Sequence, residues 1–152
     1  MNTGEGILLL VNKPLEWTSF DVVNKLRNIL QTRKIGHAGT LDPLATGLLI
    51  VCAGKMTKQI DQYQAAQKEY TGTLVLGQTT PSFDLETRPT PPADISGITE
   101  KRVQEAAATF VGAIEQVPPA HSSVKIGGKR AYELARKGME VEMKPRRVDI
   151  AA

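Results

Sequence analysis

Two apolar runs, residues 7–11 and 48–53, most strongly constrain what this chain of 152 residues can fold into. Each has the length of a strand, whereas a membrane span needs about 18 or more consecutive apolar residues. The first run is closed by Asn12-Lys13-Pro14, a turn-forming sequence. Hydrophobic residues make up 41% of the chain, which is enough for a core. We therefore expect two buried β-strands.

Helical patterns alternate with the predicted strands. Thr18 is a helix-capping residue followed by Asp21, an acidic variant of the capping box. The apolar stripe of that helix consists of Val22, Val23, Leu26, Ile29 and Leu30. Thr99 caps a second helix, whose apolar face consists of Val103, Ala106, Ala107, Phe110 and Val111.

The remaining segments complete an interleaved pattern. Residues 55–63 favour a short helix, residues 70–77 alternate as a strand does, and residues 78–97 read as a long, acidic surface connection. An extended segment is expected from 117 to 126. Gly127-Gly128 turns the chain into a helix over 129–137 that Gly138 ends, and residues 146–150 begin a strand. Because no strict βαβ rhythm is present, an α+β fold is predicted.

The net charge of +3 is unevenly placed. Residues 1–60 carry seven basic and four acidic side chains, residues 61–100 two and six, and residues 101–152 ten and six. Such zones favour an anionic partner, of which nucleic acid is the usual one. A merely solvated, lysine-rich surface is the alternative.

Several site types are not supported by the residues. One cysteine, Cys52, and two histidines, His37 and His121, do not make a zinc ligand set, so no metal is expected. Cys52 lies in an apolar run and is predicted to be a buried thiol. No phosphate-binding loop, dinucleotide fingerprint or nucleophile elbow is found. The N-terminus carries no signal-peptide pattern, and a cytoplasmic protein is expected.

Residues 36–47 (GHAGTLDPLATG) form the segment where chemistry is most expected. Three glycines allow its backbone to approach a ligand closely. It carries one imidazole, His37, and one carboxylate, Asp42. However, aspartate before proline is also a routine turn former, so Asp42 taken alone is open to a purely structural interpretation.

Four collinear segments resemble motifs of the TruB-type tRNA pseudouridine synthases. The segment at 36–47 is similar to the catalytic signature of that family. Two segments, Asn12-Lys13-Pro14 and Trp17-Thr18-Ser19-Phe20, together resemble the opening motif of the family. The segment Lys68-Glu69-Tyr70 resembles its tyrosine-bearing strand. Residues 127–136 (GGKRAYELAR) resemble a later basic segment.

This resemblance implies a fold and a reaction. The fold would be a mixed, mainly antiparallel sheet flanked by helices. Asp42 would be the catalytic aspartate that converts the T-loop uridine of tRNA, position 55, to pseudouridine without a cofactor. A carboxylate could act as a nucleophile or remove the C2′ proton to give a glycal, and the sequence leaves both routes open.

The resemblance also assigns binding residues. His37 would hold the flipped-out RNA loop and Tyr70 would stack on the target base, with Lys13, Thr40 and Leu41 as further substrate contacts. A thumb-like RNA-binding segment is expected at about 116–142. Candidate RNA-backbone contacts are Arg33, Lys34, Lys125, Lys129, Arg130, Arg136 and Lys137.

One departure from the family pattern is large. A later strand with an arginine motif, further core strands and the small C-terminal RNA-binding domain are absent, so residues 1–152 are expected to be the N-terminal portion of a truncated catalytic domain. Such a chain is expected to be poorly active or inactive alone and to self-associate through an open sheet edge. The T-stem-loop of tRNA is the expected partner, with no protein partner required and no membrane. A non-catalytic RNA-binding or tRNA-folding module on the same scaffold is the alternative, and a guide-RNA-directed synthase subunit is a third interpretation.

Overall fold

The computed structural model describes residues 5–119, 122, 124–131, 134, 137–139 and 142–151. The chain divides into two compact units, Met1–Gly72 and Thr73–Ala152. Both contain helices and antiparallel strand pairs, which confirms the predicted α+β class. Within the described ranges, no helix combines the length and the apolar character that crossing a membrane would require.

A three-stranded antiparallel sheet organises the first unit. Its strands β1 (Ile7–Lys13), β2 (Ile35–Ala38) and β3 (Gly47–Ala53) lie in the order β1-β3-β2. Lys13, the last residue of β1, stands opposite Gly47, the first residue of β3. The loop that joins β2 to β3 therefore emerges at the same end of the sheet as Lys13.

The predicted capping box is confirmed at the start of helix α1 (Ser19–Leu30). Thr18 Oγ1 accepts a hydrogen bond from Asp21 N at 3.1 Å, and Thr18 N donates to Asp21 Oδ2 at 2.8 Å. The helix ends at Gln31, whose φ of 50° is left-handed and whose N–H bonds to Arg27 O. Local sequence thus fixes the amino end of α1.

One face of α1 packs on the sheet to form the core. Val22, Val23 and Leu30 are buried against Ile35 of β2 and against β3, in a cluster completed by Leu49, Val51 and Ala53. Ile29 was predicted to belong to this stripe, but it is 61% exposed. The reason is angular, because successive residues are rotated by about 100° and Ile29 falls at the margin of the buried arc. Cys52 is a buried free thiol as predicted, and burial raises its pKa.

The glycine-rich loop is shorter than the sequence suggests. Residues 36–38 belong to β2 and pair with β3, so the loop itself covers 39–46. A Cβ at Gly36 would lie 2.9 Å from Ile60 Cδ1, so a larger residue there would require the end of the Ile60 side chain to shift. The helix predicted at 55–63 is confirmed as a 3₁₀ segment, Gly54–Gln59, that leads into α2 (Ile60–Ala65).

The strand predicted over 70–77 is wrong. No strand is assigned there, and Tyr70 and Leu74 are 73% and 90% exposed. Alternation says which side chains would share a face, but a strand also needs a hydrogen-bonded neighbour. None of the described strands pairs with this segment.

The second unit begins with the acidic connection over 78–97, which is irregular as predicted. Two backbone hydrogen bonds link its beginning to its later part: Thr90 N donates to Thr79 O at 2.9 Å, and Ala93 N donates to Gly77 O at 2.8 Å. Helix α3 (Glu100–Ala108) follows with Thr99 as its cap, which confirms that prediction. Strand β4 (Gly112–Gln116) pairs antiparallel with β7 (Arg146–Ile150), the strand expected at that position.

The helix predicted from residue 129 starts later than expected. Lys125–Ile126 (β5) and Lys129–Arg130 (β6) form a hairpin around Gly127-Gly128, whose φ values are +56° and +84°. Two consecutive residues with positive φ make a tight hairpin turn, which glycine accepts without strain. Of the described residues that follow, Ala131 and Leu134 are helical. Met139 N bonds to Leu134 O at 3.1 Å with Gly138 at a φ of +69°, which confirms Gly138 as the residue that ends this helix.

Candidate active-site loop

Asp42 lies exposed in the loop between β2 and β3. Its backbone oxygen accepts a hydrogen bond from Ala45 N at 3.0 Å, which closes a turn over residues 42–45. The turn-forming interpretation of Asp-Pro is therefore correct for the backbone. The residue itself is exposed, so a ligand has access to it.

Ser19 fixes the residue that precedes Asp42. Its Oγ donates to Leu41 O at 3.1 Å and accepts from Leu41 N at 2.9 Å, and the serine is 2% exposed. Leu41 itself packs against the core cluster. The first turn of α1 thereby holds the backbone on one side of the aspartate.

Lys13 fixes the residue that follows Asp42. The lysine has no exposed surface, and its Nζ donates to Pro43 O at 3.3 Å, Trp17 O at 2.6 Å and Pro14 O at 2.9 Å. Pro43 O accepts a second bond, from Glu16 N at 2.8 Å. The backbone carbonyl groups of the residues before and after Asp42 are therefore held by buried donors.

Burial and two nearby carboxylates shift the pKa of Lys13 in opposite directions. Burial lowers its pKa from the usual value of 10.5, whereas the negative charges of Asp42 and Asp21 raise it. The effect of burial is the largest of the three. The Asp42 carboxylate is thus near enough to favour a positive charge beneath its own loop.

His37 lies on β2, half-buried, five residues before the turn that begins at Asp42. Its Nδ1 bonds to Gly39 O. Because a carbonyl oxygen only accepts, Nδ1 carries the proton in this contact, and Nε2 is the nitrogen left to face a ligand. The bond orients the ring at the start of the loop, on the same connection as Asp42.

The other predicted substrate contacts are placed differently. Thr40 is exposed two residues before Asp42, and Leu41 is half-buried and anchored to α1. Lys13 is enclosed, so in this structure it reaches the loop backbone rather than solvent. Tyr70 lies in an exposed segment without regular structure. Lys13 was predicted as a substrate contact, and in this structure its ammonium group donates to the loop carbonyl Pro43 O.

The predicted RNA-backbone residues fall in two groups. Arg33 and Lys34 are exposed between α1 and β2 in the first unit. In the second unit, the backbones of Lys125, Lys129 and Arg130 form the β5–β6 hairpin, and Lys137 is exposed beside Gly138. Arg136 lies outside the described residues, as do parts of the thumb-like segment at 116–142. The roles of all these residues stay predictions.

Sequence reasoning missed Ser19. Thr18 was predicted as the cap, and Ser19 was named only as part of the opening motif, without a role of its own. A signal existed, because Ser19 stands on the buried stripe at i, i+3 and i+4 with Val22 and Val23. A polar residue on a buried helix face needs a hydrogen-bond partner, and here that partner is the loop. Within the described part of the chain, no three His, Cys, Asp or Glu residues gather as a metal site would require.

Comparison with known proteins identifies the class to which this fold and loop belong. Residues 27–152 match the model of the TruB family pseudouridylate synthase, N-terminal domain. The chain belongs to the TruB pseudouridylate synthase family, as its sequence motifs predicted.

Individual relatives agree with that assignment. The chain is 57% identical to tRNA pseudouridine synthase B of Parabacteroides distasonis, over 91% of this chain and 62% of the relative. It is 53% identical to tRNA pseudouridine synthase B of Phocaeicola vulgatus, over 95% of this chain and 64% of the relative. The chain thus spans less than two thirds of the length of these relatives.

A solved structure shares the fold. The crystal structure of a Cbf5-Nop10-Gar1 complex matches with a TM-score of 0.51 at 26% identity, over 78% of this chain and 30% of the matched one. This match confirms the predicted pseudouridine synthase-like fold.

Proposed function

We propose that this chain carries the catalytic aspartate of an isomerase that converts the T-loop uridine of tRNA, position 55, to pseudouridine. The observation that carries the proposal is the loop geometry around Asp42. An exposed carboxylate stands between two peptide groups that Ser19 and Lys13 hold in place. The names of the relatives, tRNA pseudouridine synthase B, support the substrate and the reaction.

The loop suits the proposed chemistry. In the reaction the C1′–N1 bond breaks, the uracil rotates, a C1′–C5 bond forms, and the C5 proton leaves while N1 gains one. Asp42 would attack C1′ or remove the C2′ proton, and either role needs a carboxylate held in one position. The fixed neighbours contribute to this because they restrict the backbone on both sides of Asp42.

RNA binding would come from the surrounding residues. His37, with its ring oriented through Nδ1, would present Nε2 to the RNA loop from which the target uridine is extruded. The basic residues Arg33, Lys34 and Lys137 would contact phosphates, with Lys125, Lys129, Arg130 and Arg136 as further candidates. Tyr70 would stack on the target base, and Thr40 and Leu41 would line its pocket. We place this activity in the cytoplasm, where tRNA is processed.

The first test replaces Asp42 by asparagine, which preserves size and the turn but removes the charge. A T-stem-loop RNA tritiated at uridine C5 reports conversion by tritium release, with the protein in excess. Slow release by the wild-type chain and none by Asp42→Asn is the expected result. Asp61→Asn, an exposed carboxylate on α2, is the matched control and should behave as wild type.

A second arm keeps the test decisive if the isolated chain turns over too slowly to measure. The chain is extended after Ala152 with the remaining segment of the Parabacteroides distasonis relative, and the same variants are compared. Conversion that depends on Asp42 supports the proposal. Conversion that survives Asp42→Asn contradicts it, and T-stem-loop binding without any conversion in either arm would favour the RNA-folding module.

A further inference from the structure

An exposed apolar rim borders the Asp42 loop. Its members are Leu15 and Trp17, in the turn between β1 and α1, and Leu44, two residues after Asp42, and all three are exposed. The function proposed above gives none of them a role. We infer that Trp17 in this rim stacks on an unpaired base of the RNA loop, next to the target uridine. The inference rests on the proposed function in taking RNA as the ligand.

Hydrogen bonds fasten the β1–α1 turn to the Asp42 loop. Trp17 O and Pro43 O both accept from Lys13 Nζ, at 2.6 and 3.3 Å, so one ammonium group holds these two backbone oxygens close together. Glu16 N also donates to Pro43 O at 2.8 Å. The backbone of Trp17 is therefore a near neighbour of the residue that follows Asp42. A nucleotide that reaches the aspartate brings its own neighbours in the RNA within reach of the rim.

The turn keeps the backbone beside Trp17 in one conformation. Glu16 has a φ of 66°, a left-handed conformation that residues other than glycine adopt rarely. Such strain persists where surrounding contacts impose it, and here the bonds to Pro43 O and Trp17 O do so. On the other side of Trp17, Thr18 is fixed by the capping box. Because tryptophan has only two side-chain torsions, Trp17 loses little conformational entropy when it contacts a ligand.

The charges around the rim favour a base over a phosphate. Residues 13–21 and 39–48 contain one basic side chain, the buried Lys13, and three carboxylates, those of Glu16, Asp21 and Asp42. Carboxylates repel phosphate groups, whereas the face of a nucleobase carries no net charge. Unpaired bases of RNA loops stack on aromatic side chains. The part of an RNA that suits this surface is therefore an unpaired base.

Continuity with the Asp42 loop favours the substrate over a protein segment as the occupant. Leu44 lies within the turn over residues 42–45 that carries the aspartate. A protein segment seated on the rim would cover the approach to Asp42, whereas a base of the substrate arrives together with the uridine to be converted. Extrusion of that uridine also removes a stacking partner from its neighbours, so a neighbouring base can take the indole of Trp17 instead.

The chain contains one tryptophan, so its intrinsic fluorescence reports on the rim. Stacking on a base quenches indole emission. Adding T-stem-loop RNA to the 152-residue chain should quench the emission and protect Trp17 from acrylamide, whereas a fully paired duplex of the same stem should do neither. Equal quenching by the duplex would overturn the inference, because the duplex offers phosphates but no unpaired base.

Abasic sites placed one at a time in the RNA loop identify the base. Removing one base beside the target uridine should abolish the quenching, and removing any other should leave it. If only the target position matters, Trp17 contacts the target itself and the assignment to a neighbouring base is wrong. Quenching that survives every single removal would likewise contradict stacking on one base.

Substitutions of Trp17 measure its contribution to RNA affinity, followed by the anisotropy of a labelled stem-loop. Trp17→Ala should bind about 5- to 150-fold more weakly, the range for loss of one stacked base, and Trp17→Phe should restore most of the affinity. Trp17→Leu keeps apolar area without an aromatic face and should behave like the alanine variant. Wild-type affinity in Trp17→Leu or Trp17→Ala would contradict stacking.

Ile29→Ala is the matched control for loss of exposed apolar area. Ile29 is exposed on the same helix whose start adjoins Trp17, but it lies about 15 Å along α1 from Ser19. It should therefore keep the wild-type affinity. The fluorescence experiment needs no substitution, so it decides the matter even if Trp17→Ala fails to fold.

The chain extended after Ala152 with the remaining segment of the Parabacteroides distasonis relative tests the other occupant. In it, Trp17 should be accessible to acrylamide before RNA is added and protected afterwards. Protection before RNA would mean that a protein segment covers the rim, and absence of quenching in both chains would also overturn the inference. Quenching without conversion of uridine would refute the proposed function alone. Conversion that depends on Asp42 but leaves Trp17 emission unchanged would refute the stacking contact alone.

Discussion

At the scale of single residues, the structure explains how an exposed aspartate is kept in one position. Asp42 sits on the surface, but the two peptide groups beside it are tied to the interior through Ser19 and Lys13. Such ties remove backbone freedom from the loop before any ligand binds. The contribution of Lys13 to the stability of the first unit can be measured without changing Asp42.

Replacing Lys13 by methionine should destabilise the first unit by about 1–3 kcal/mol. Methionine fills a similar volume, but it leaves the carbonyls of Pro14 and Trp17 without the donor that they have in this structure. Urea unfolding followed by circular dichroism measures the loss. Lys25→Met, on the exposed face of α1, is the control and should stay within about 0.5 kcal/mol of wild type. Equal stability of both variants would show that the buried ammonium does not support the loop.

At the scale of elements, the two capped helices offer a matched comparison. Thr18 and Asp21 exchange hydrogen bonds at the start of α1, whereas Thr99 accepts one bond, from Arg102 N at 3.3 Å, at the start of α3. The amino end of a helix has donors without partners inside the helix, and capping residues satisfy them. The α1 cap satisfies more of them and also positions Ser19, the next residue.

Thr18→Ala should therefore cost about 1 kcal/mol of stability, and Thr99→Ala less. Amide hydrogen exchange in the first turn of each helix gives the measurement. In α1 the exchange of Leu41 should rise as well, because the serine that bonds it is displaced with the helix start. A larger effect at Thr99 than at Thr18 would contradict this ranking.

Acid should weaken the same cap. Hydrogen bonds from Thr18 lower the pKa of Asp21 from its usual 3.8. The stabilisation is therefore fully present above pH 3.8 and is lost as the pH falls through the lower pKa of the folded state. Unfolding midpoints measured from pH 6 downward should fall in wild type below pH 3.8, and by less in Asp21→Asn. Parallel curves for the two proteins would be evidence against this carboxylate as the cause.

At the scale of the whole molecule, the chain contains two units joined through an exposed segment. Residues 70–77 have no regular structure, and Leu74 is 90% exposed. Strands β1 and β2 each pair on one side only among the described strands, which leaves open edges. Self-association through those edges stays a prediction.

Limited proteolysis tests this organisation. Chymotrypsin should cut after Tyr70 or Leu74 well before it cuts within α2 at Tyr63, because a protease needs an accessible chain that it can extend. Tyr63 is the internal control, since it lies half-buried in a helix. Mass spectrometry identifies the first cut. Resistance at Tyr70 equal to that at Tyr63 would mean that the segment is paired, as the alternation of its residues first predicted.

The sequence predicted local features well because their causes are local. The capping box of α1, the two apolar strands, the irregular acidic connection and the helix end at Gly138 each depend on residues within a few positions. Predictions failed where the cause is distant. Residues 70–77 have the alternation of a strand but no pairing neighbour, and Lys129–Arg130 became a strand through pairing with Lys125–Ile126.

The sequence by itself determined the family, the loop that carries Asp42 and the elements on either side of it. Motifs and hydrophobic periodicity depend only on the order of the residues, so the sequence is sufficient to recognise them. Only the tertiary structure decided that Lys13 is enclosed and that Ser19 holds Leu41. Hydrogen bonds between residues 22 or 30 positions apart depend on how the start of α1 and the end of β1 meet the loop in the folded chain, and the sequence pattern does not specify those partners.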